Sequence, residues 1–147
     1  MKSCFMFGHR DTPPETQQKI ISAVERLYLN HGVTEFYVGG YGAFDRLAGA
    51  AVKDAKRRFP EIMLYLLISY HPAVRPVALP EGYDGSFYPP LENVPQRYAI
   101  VKANQYMVNT CDAVICYVRR PGNSKVLLTR AQNRGMKEPL IIENIGM

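Results

Sequence analysis

Four short stretches hold the residue types that can grip a phosphoryl group. They are Gly8-His9-Arg10, Gly39-Gly40-Tyr41-Gly42 with Asp45 just behind it, Tyr70-His71-Pro72, and Arg119-Arg120-Pro121-Gly122-Asn123-Ser124-Lys125. Glycine tolerates φ > 0 and lets a ligand approach backbone amides with no Cβ in the way. A helix that starts at such a turn aims its unpaired N–H groups and positive dipole end at the same spot. Arginine adds a planar fork of donors matched to phosphate. Two glycine turns, three arginines and Lys125 therefore suit a phosphorylated ligand. Tyr41, Tyr70 and Tyr88 could stack on a base or a ribose face, and Asn104 or Asp45 could read hydroxyl or amino groups. Plainer uses stand beside these. His9 and His71 serve as readily as hydrogen-bonded loop residues as bases. Asp45 serves equally as a complement to its own helix dipole, and Arg97 as a surface ion-pair partner. Gly39–Gly42 by itself is neither a complete dinucleotide fingerprint nor a P-loop.

The elements that must position these residues alternate along the chain. Lys2–Phe7 reads as a strand. Thr12-Pro13-Pro14-Glu15 reads as a capping box that starts a first helix, with Ile20, Ile21, Val24, Leu27 and Tyr28 at helical spacing and Gly32 as its stop. Thr34–Val38 is a second strand, and a second helix runs from about Ala43 to before Pro60. Ile62–Ile68 is a strand covered on both faces. A third helix spans about Gln96–Asn109 and Ala113–Val118 is a fourth strand. Ser124 is the expected N-cap of a last helix that ends at Gly135, before a fifth strand at Leu140–Glu143. Between Tyr70 and Pro95 lie six of the 11 prolines. That composition excludes helix over most of the segment and predicts a lid or binding loop. The order βαβαβ, loop, αβαβ predicts an α/β, Rossmann-like three-layer domain over 1–147: a central, mostly parallel five-stranded sheet with helices on both faces. Ligands of such sheets sit beyond the carboxyl ends of the strands. All four phosphate-suited stretches fall at those ends and are expected to face one crevice.

Composition narrows the function classes. With 147 residues, 47% hydrophobic and 21% charged, the chain can bury an ordinary core, and no stretch approaches a membrane span. Cys4, Cys111 and Cys116 are an odd number set in apolar runs, which predicts reduced core residues and a cytoplasmic protein. Metal ligation is not expected, because the cysteines lack a second pair at ligand spacing. The net charge is +5, and from Arg97 to Lys137 eight Lys/Arg (Arg97, Lys102, Arg119, Arg120, Lys125, Arg130, Arg134, Lys137) face one acid, Asp112. A polyanionic partner suits that bias, although Arg130, Arg134 and Lys137 read as a solvated face.

Taken together, Phe7-Gly8-His9-Arg10, Tyr37 through Asp45, Tyr70-His71-Pro72, Pro95 through Ile100 and Asp112 through Val118 resemble the SLOG superfamily, closest to its small stand-alone bacterial members. The likeness covers nearly the whole chain. Relatives of that Rossmann-like fold include LOG-type phosphoribohydrolases, molybdenum-cofactor carrier proteins and DNA-processing protein A. The resemblance implies a nucleotide or nucleotide-derived ligand at the glycine turns, no required cofactor, and self-association. One departure matters. The phosphoribohydrolase pattern Pro-Gly-Gly-x-Gly-Thr-x-x-Glu falls on Pro121–Thr129, where Asn123 and Lys125 replace glycines and Thr129 replaces the glutamate. Threonine cannot supply acid–base chemistry at neutral pH or stabilise an oxocarbenium ion. Three readings follow in order. The first is binding or sensing of a phosphorylated nucleotide derivative. The second is an N-glycosidase or transferase using Glu92 or Asp45. The third is single-stranded nucleic-acid binding.

Overall fold

The computed structural model describes Met1 to Met147. Strand β1 (Lys2–Gly8) carries four successive apolar residues, and alternation sends them to opposite faces. Cys4 and Met6 enter one core, Phe5 and Phe7 the other. A strand apolar on both faces belongs inside a sheet. β1 accordingly pairs in parallel with β2 (Val33–Val38) on one side and, across the sheet, with β5 (Ala113–Tyr117). With β3 (Met63–Leu67), β4 (Gly85–Phe87) and β6 (Ile141–Asn144), the order is β4-β3-β2-β1-β5-β6, and every neighbouring pair is parallel. This is the expected Rossmann-like α/β sheet, with six strands instead of five.

The added strand lies inside the proline-rich segment. Gly85-Ser86-Phe87 has no alternation and no β-branched residue, so nothing local marks it as a strand. Its partner specifies it. The Asp84 backbone N–H donates to the Leu64 carbonyl at 2.8 Å, the Asp84 carboxylate accepts the Leu64 N–H at 2.8 Å, and Lys56 pairs with the same carboxylate.

Helices α1 (Gln17–His31) and α2 (Ala43–Arg58) cover one face, where Val24, Leu27, Ala48 and Val52 meet Phe36, Val38 and Leu64. Helices α3 (Ala99–Thr110) and α4 (Asn123–Gly135) cover the other, where Ala103, Met107, Leu127 and Leu128 meet Phe7, Val114 and Cys116. Gly32 stops α1 as predicted, at φ 69° with its N–H on the Leu27 and Tyr28 carbonyls. Two helix starts differ from expectation. The Thr12 hydroxyl donates to the His9 carbonyl at 2.6 Å and caps nothing, and the chain enters α1 through a 3-10 turn at Pro14–Thr16. The helix proper begins only at Gln17, so Thr12 lies outside its first turn. At α4 the cap position is Gly122, at φ 142°, with Asn123 as the first helical residue; Ser124 already lies inside the helix. The third helix likewise opens as a 3-10 turn, Gln96–Tyr98.

The segment from 71 to 82 is exposed, but both its ends are held. Tyr83 packs against the α1/α2 core, and a Cβ on Gly49 of α2 would collide with the Tyr83 hydroxyl. No helix is long and apolar enough to cross a membrane.

Candidate small-molecule site at the strand switch point

β1 lies where the strand order reverses, with β2 on one flank and β5 on the other, so the loops leaving β1 and β5 part company above the sheet. Between them opens a cavity of about 310 Å³. From the β1 side its wall includes Gly8, His9 and Arg10. Gly39, Tyr41 and Asp45 form the middle, and Asn104 enters from α3. Arg120, Gly122, Asn123 and Ser124 close the β5 side. Residues from the loops after the first, second and fourth predicted strands thus share one hollow. A second cavity, about 570 Å³, adjoins it and shares Gly39, Tyr41, Asp45, Leu67 and Ser69.

Other predicted positions lie elsewhere. Gly40 lines the larger cavity only. Gly42 lines neither; at φ 91° it brings α2 against the β1 loop, where a Cβ would sit 2.9 Å from the Arg10 Cα and the Ala43 N–H donates to the Arg10 carbonyl at 2.8 Å. His71 and Glu92 face a third pocket of about 250 Å³ under the proline-rich segment, because Tyr88 draws His71 into an edge-on ring contact. The expectation that Tyr70-His71-Pro72 joins the crevice therefore fails. Tyr70 lines the larger cavity and the third pocket, His71 the third pocket alone and Pro72 none of the three, and Glu92 cannot reach a ligand in the crevice. Arg97 is exposed, lying over the Tyr98 ring at 4.8 Å. Arg119 and Lys125 are exposed and do not line the crevice, since the loop and the helix turn alternate residues outward. Of the eight cations between Arg97 and Lys137, Arg120 alone lines it. Arg134 instead ties the α3 end to α4, donating to the Val108 and Cys111 carbonyls.

Two groups in the crevice wall have shifted acidities. His9 is 7% exposed, and its Nε2 accepts the Arg119 backbone N–H at 2.9 Å. Burial lowers its pKa, the Arg120 guanidinium lowers it further, and Asp11 partly opposes them. A ring whose Nε2 is an acceptor is neutral, so His9 clamps the β1 and β5 loops together and is not a free base. A folded-state pKa below the ordinary 6.5 means the clamp contributes stability above that value and loses it as pH falls through the lowered one. An NMR titration of the imidazole should give a midpoint below 6.5; one at or above it would remove the clamp. Burial also pushes the Asp45 carboxyl up to about 6, against the lowering effects of the Tyr41 N–H and Arg10.

The two glycine turns differ in what they offer an anion. Asp45, in the first turn of α2, accepts the Tyr41 N–H at 2.8 Å, so that turn carries its own carboxylate. The α4 start has no acid in its first turn and no side-chain cap. It also has Arg120 beside it, held only by an exposed pair with Asp11. The α4 turn is the better phosphate cradle.

Sequence reasoning missed Ser69 and the cations of the larger cavity, Arg46, Lys53 and Arg75. Ser69 is 5% exposed and lies in the wall of all three pockets. As the first polar residue after the apolar run Ile62–Ile68, it could have been found by the strand-end rule. The three cysteines are buried, with burial pushing Cys111 up to about 11 and Cys116 to about 12, so neither is a ready thiolate.

Fold and crevice together define a Rossmann-like α/β protein with a small-molecule hollow at its topological switch point. No protein-family model and no curated protein sequence matches the chain. Among solved structures, it is similar to the Moco carrier protein from Chlamydomonas reinhardtii, with a TM-score of 0.50 and 13% identity, over 97% of this chain and 76% of that one. At that identity the likeness speaks for the fold.

Proposed function

We propose that this chain binds a nucleotide-type phosphorylated small molecule at the switch point, with a phosphoryl group on the α4 turn. The observation that carries the reading is the uncapped, acid-free α4 start opening with Arg120 onto a 310 Å³ hollow. Backbone donors, helix dipole and guanidinium act there together. Asn104 and Asp45 line the same hollow and offer hydrogen-bonding groups suited to sugar hydroxyls. A fold-mate described as a Moco carrier fits binding without turnover. Titration calorimetry against AMP and ADP-ribose tests the reading, and absence of binding at millimolar concentration rejects it. Arg120→Ala is expected to weaken AMP about 10- to 100-fold, the cost of one charge-assisted contact; unchanged affinity would remove Arg120 from the cradle.

One observation favours a second reading. A half-buried carboxyl poised at about 6 inside a cleft fits an acid–base group. Asp45, without Glu92, would then assist cleavage of an N-glycosidic bond. Thr129, at the position of the relatives' glutamate, is exposed and not in the crevice wall. Release of free base from nucleoside monophosphates, lost in Asp45→Asn, supports this reading; no release leaves binding alone. Single-stranded nucleic acid ranks last, because the C-terminal cations are dispersed and Arg134 is engaged internally. A flat salt response on an oligonucleotide would dismiss it.

A further inference from the structure

The larger cavity differs in kind from the crevice beside it. Arg46 and Lys53 of α2 and Arg75 of the exposed segment all line it, and none of the three forms a salt bridge. Six others of the chain's 18 Lys/Arg are placed otherwise. Arg26, Lys56, Arg57, Arg58, Arg120 and Arg134 each pair with a carboxylate. The one acid in the wall is Asp45, which accepts the Tyr41 N–H, and a single carboxylate against three cations leaves the wall net positive. Tyrosines fix two of the cations, Arg75 lying 4.1 Å from the Tyr70 ring centre and Lys53 5.2 Å from that of Tyr83. Cation–π contacts hold a positive group in place without neutralising it. The floor between them is apolar, from Leu66, Leu67 and Ile68 at the end of β3. A hollow with unneutralised cations around an apolar floor takes a flat or aliphatic body bearing an anionic group.

The two cavities meet at Gly39, Tyr41, Asp45 and Ser69. Their sizes, about 310 and 570 Å³, each fall within the range of small-molecule sites. We infer that the ligand has two separated anionic groups. One rests on the α4 turn. The other lies in the larger cavity among Arg46, Lys53 and Arg75, with the connecting body passing over Gly39 and Ser69. This inference rests on the nucleotide reading above and assigns the ligand class for the same site: a nucleoside bisphosphate or a dinucleotide rather than a monophosphate.

The test compares AMP, adenosine 3′,5′-bisphosphate and the 5′-phosphorylated dinucleotide of two adenosines joined 3′ to 5′ by calorimetry at fixed ionic strength. The wild-type chain, the Lys53→Ala/Arg75→Ala double variant and the separate Arg46→Gln variant are each used. Melting curves check that each variant is folded. At least one two-anion probe is expected to bind wild type about tenfold or more tighter than AMP, one charge-assisted contact being worth that much. The variants should erase that advantage and leave AMP unchanged. The two probes say whether the second group is a phosphate on the same nucleoside or a second nucleotide. If AMP binds and neither two-anion probe gains, or if the gain survives both variants, the inference is overturned while the nucleotide reading stands. If no probe binds, both are overturned.

Discussion

Alanine at Gly8 is expected to lower the melting temperature by about 5–10 °C, the counterpart of about 2–3 kcal/mol for a chain of this size. Gly8 ends β1 with φ outside the left-handed region, so alanine meets no backbone penalty there. The obstacle is Phe44. A Cβ at position 8 would sit 2.6 Å from the Phe44 Cγ and Cδ2 and 3.1 Å from its Cβ. Phe44 is fully buried in the first turn of α2, so the ring cannot swing into solvent. Relief requires moving the start of α2 away from β1, which is the spacing that forms the crevice. Ligand binding should weaken along with stability. Making room should relieve the clash: in a Phe44→Ala background, which removes the Cγ and Cδ2 and leaves only the Cβ at 3.1 Å, the further loss from Gly8→Ala should shrink, because contacting residues are not additive. Thermal melts of the two single variants and the double variant decide it. A change of a degree or less in Gly8→Ala, or strict additivity, would show that the contact does not set this spacing.

Asp45→Asn is expected to act in the opposite direction. The carboxyl is pushed up to about 6 from an ordinary 3.8, so between those values the folded chain holds a proton that the unfolded chain has released. Stability therefore falls as pH rises through that window, and above it the buried charge is a standing cost. At most this is about 3 kcal/mol, from roughly two units at 1.36 kcal/mol each. The side chain keeps part of its surface in water, which brings the expected gain to about 1–2 kcal/mol at pH 7.5. Asparagine retains an oxygen for the Tyr41 N–H, so the turn should survive. Wild type and variant should melt together at pH 4, diverge progressively up to about pH 6 and stay apart above it, the variant being the more stable. Parallel curves from pH 4 to 8 would refute the raised acidity. Anion affinity separates the two functional readings in the same variant. Loss of a negative charge beside the crevice should tighten AMP if Asp45 only lines it, whereas an acid–base role predicts loss of turnover.

Much of this was legible in local pattern. The glycine stop at Gly32, the apolar run of β1 and the helical spacing of α1 and α2 each depend on residues within one element. Gly8-His9-Arg10 and Gly122-Asn123-Ser124 were found as a pair because parallel strands send their carboxyl ends to one rim. Failures came where a distant partner decided. Thr12 matches a capping box, yet its hydroxyl donates back to the His9 carbonyl and α1 starts only at Gln17. His71 and Glu92 lie near strand ends in sequence, but in space both are exposed residues lining another pocket, where His71 meets the Tyr88 ring edge-on.

The sequence by itself determined the alternation of strands and helices, the parallel sheet and the rim where a ligand would lie, because periodicity and glycine turns are properties of neighbouring residues. Only the tertiary structure decided which turn was open. Asp45 folds back on the Tyr41 amide in the first, while the second starts with no acid and no cap. It likewise brought Arg46, Lys53 and Arg75 to one cavity from α2 and a segment lacking regular structure. Their convergence is set by how Tyr70 and Tyr83 pack, and no spacing along the chain encodes that distance in space.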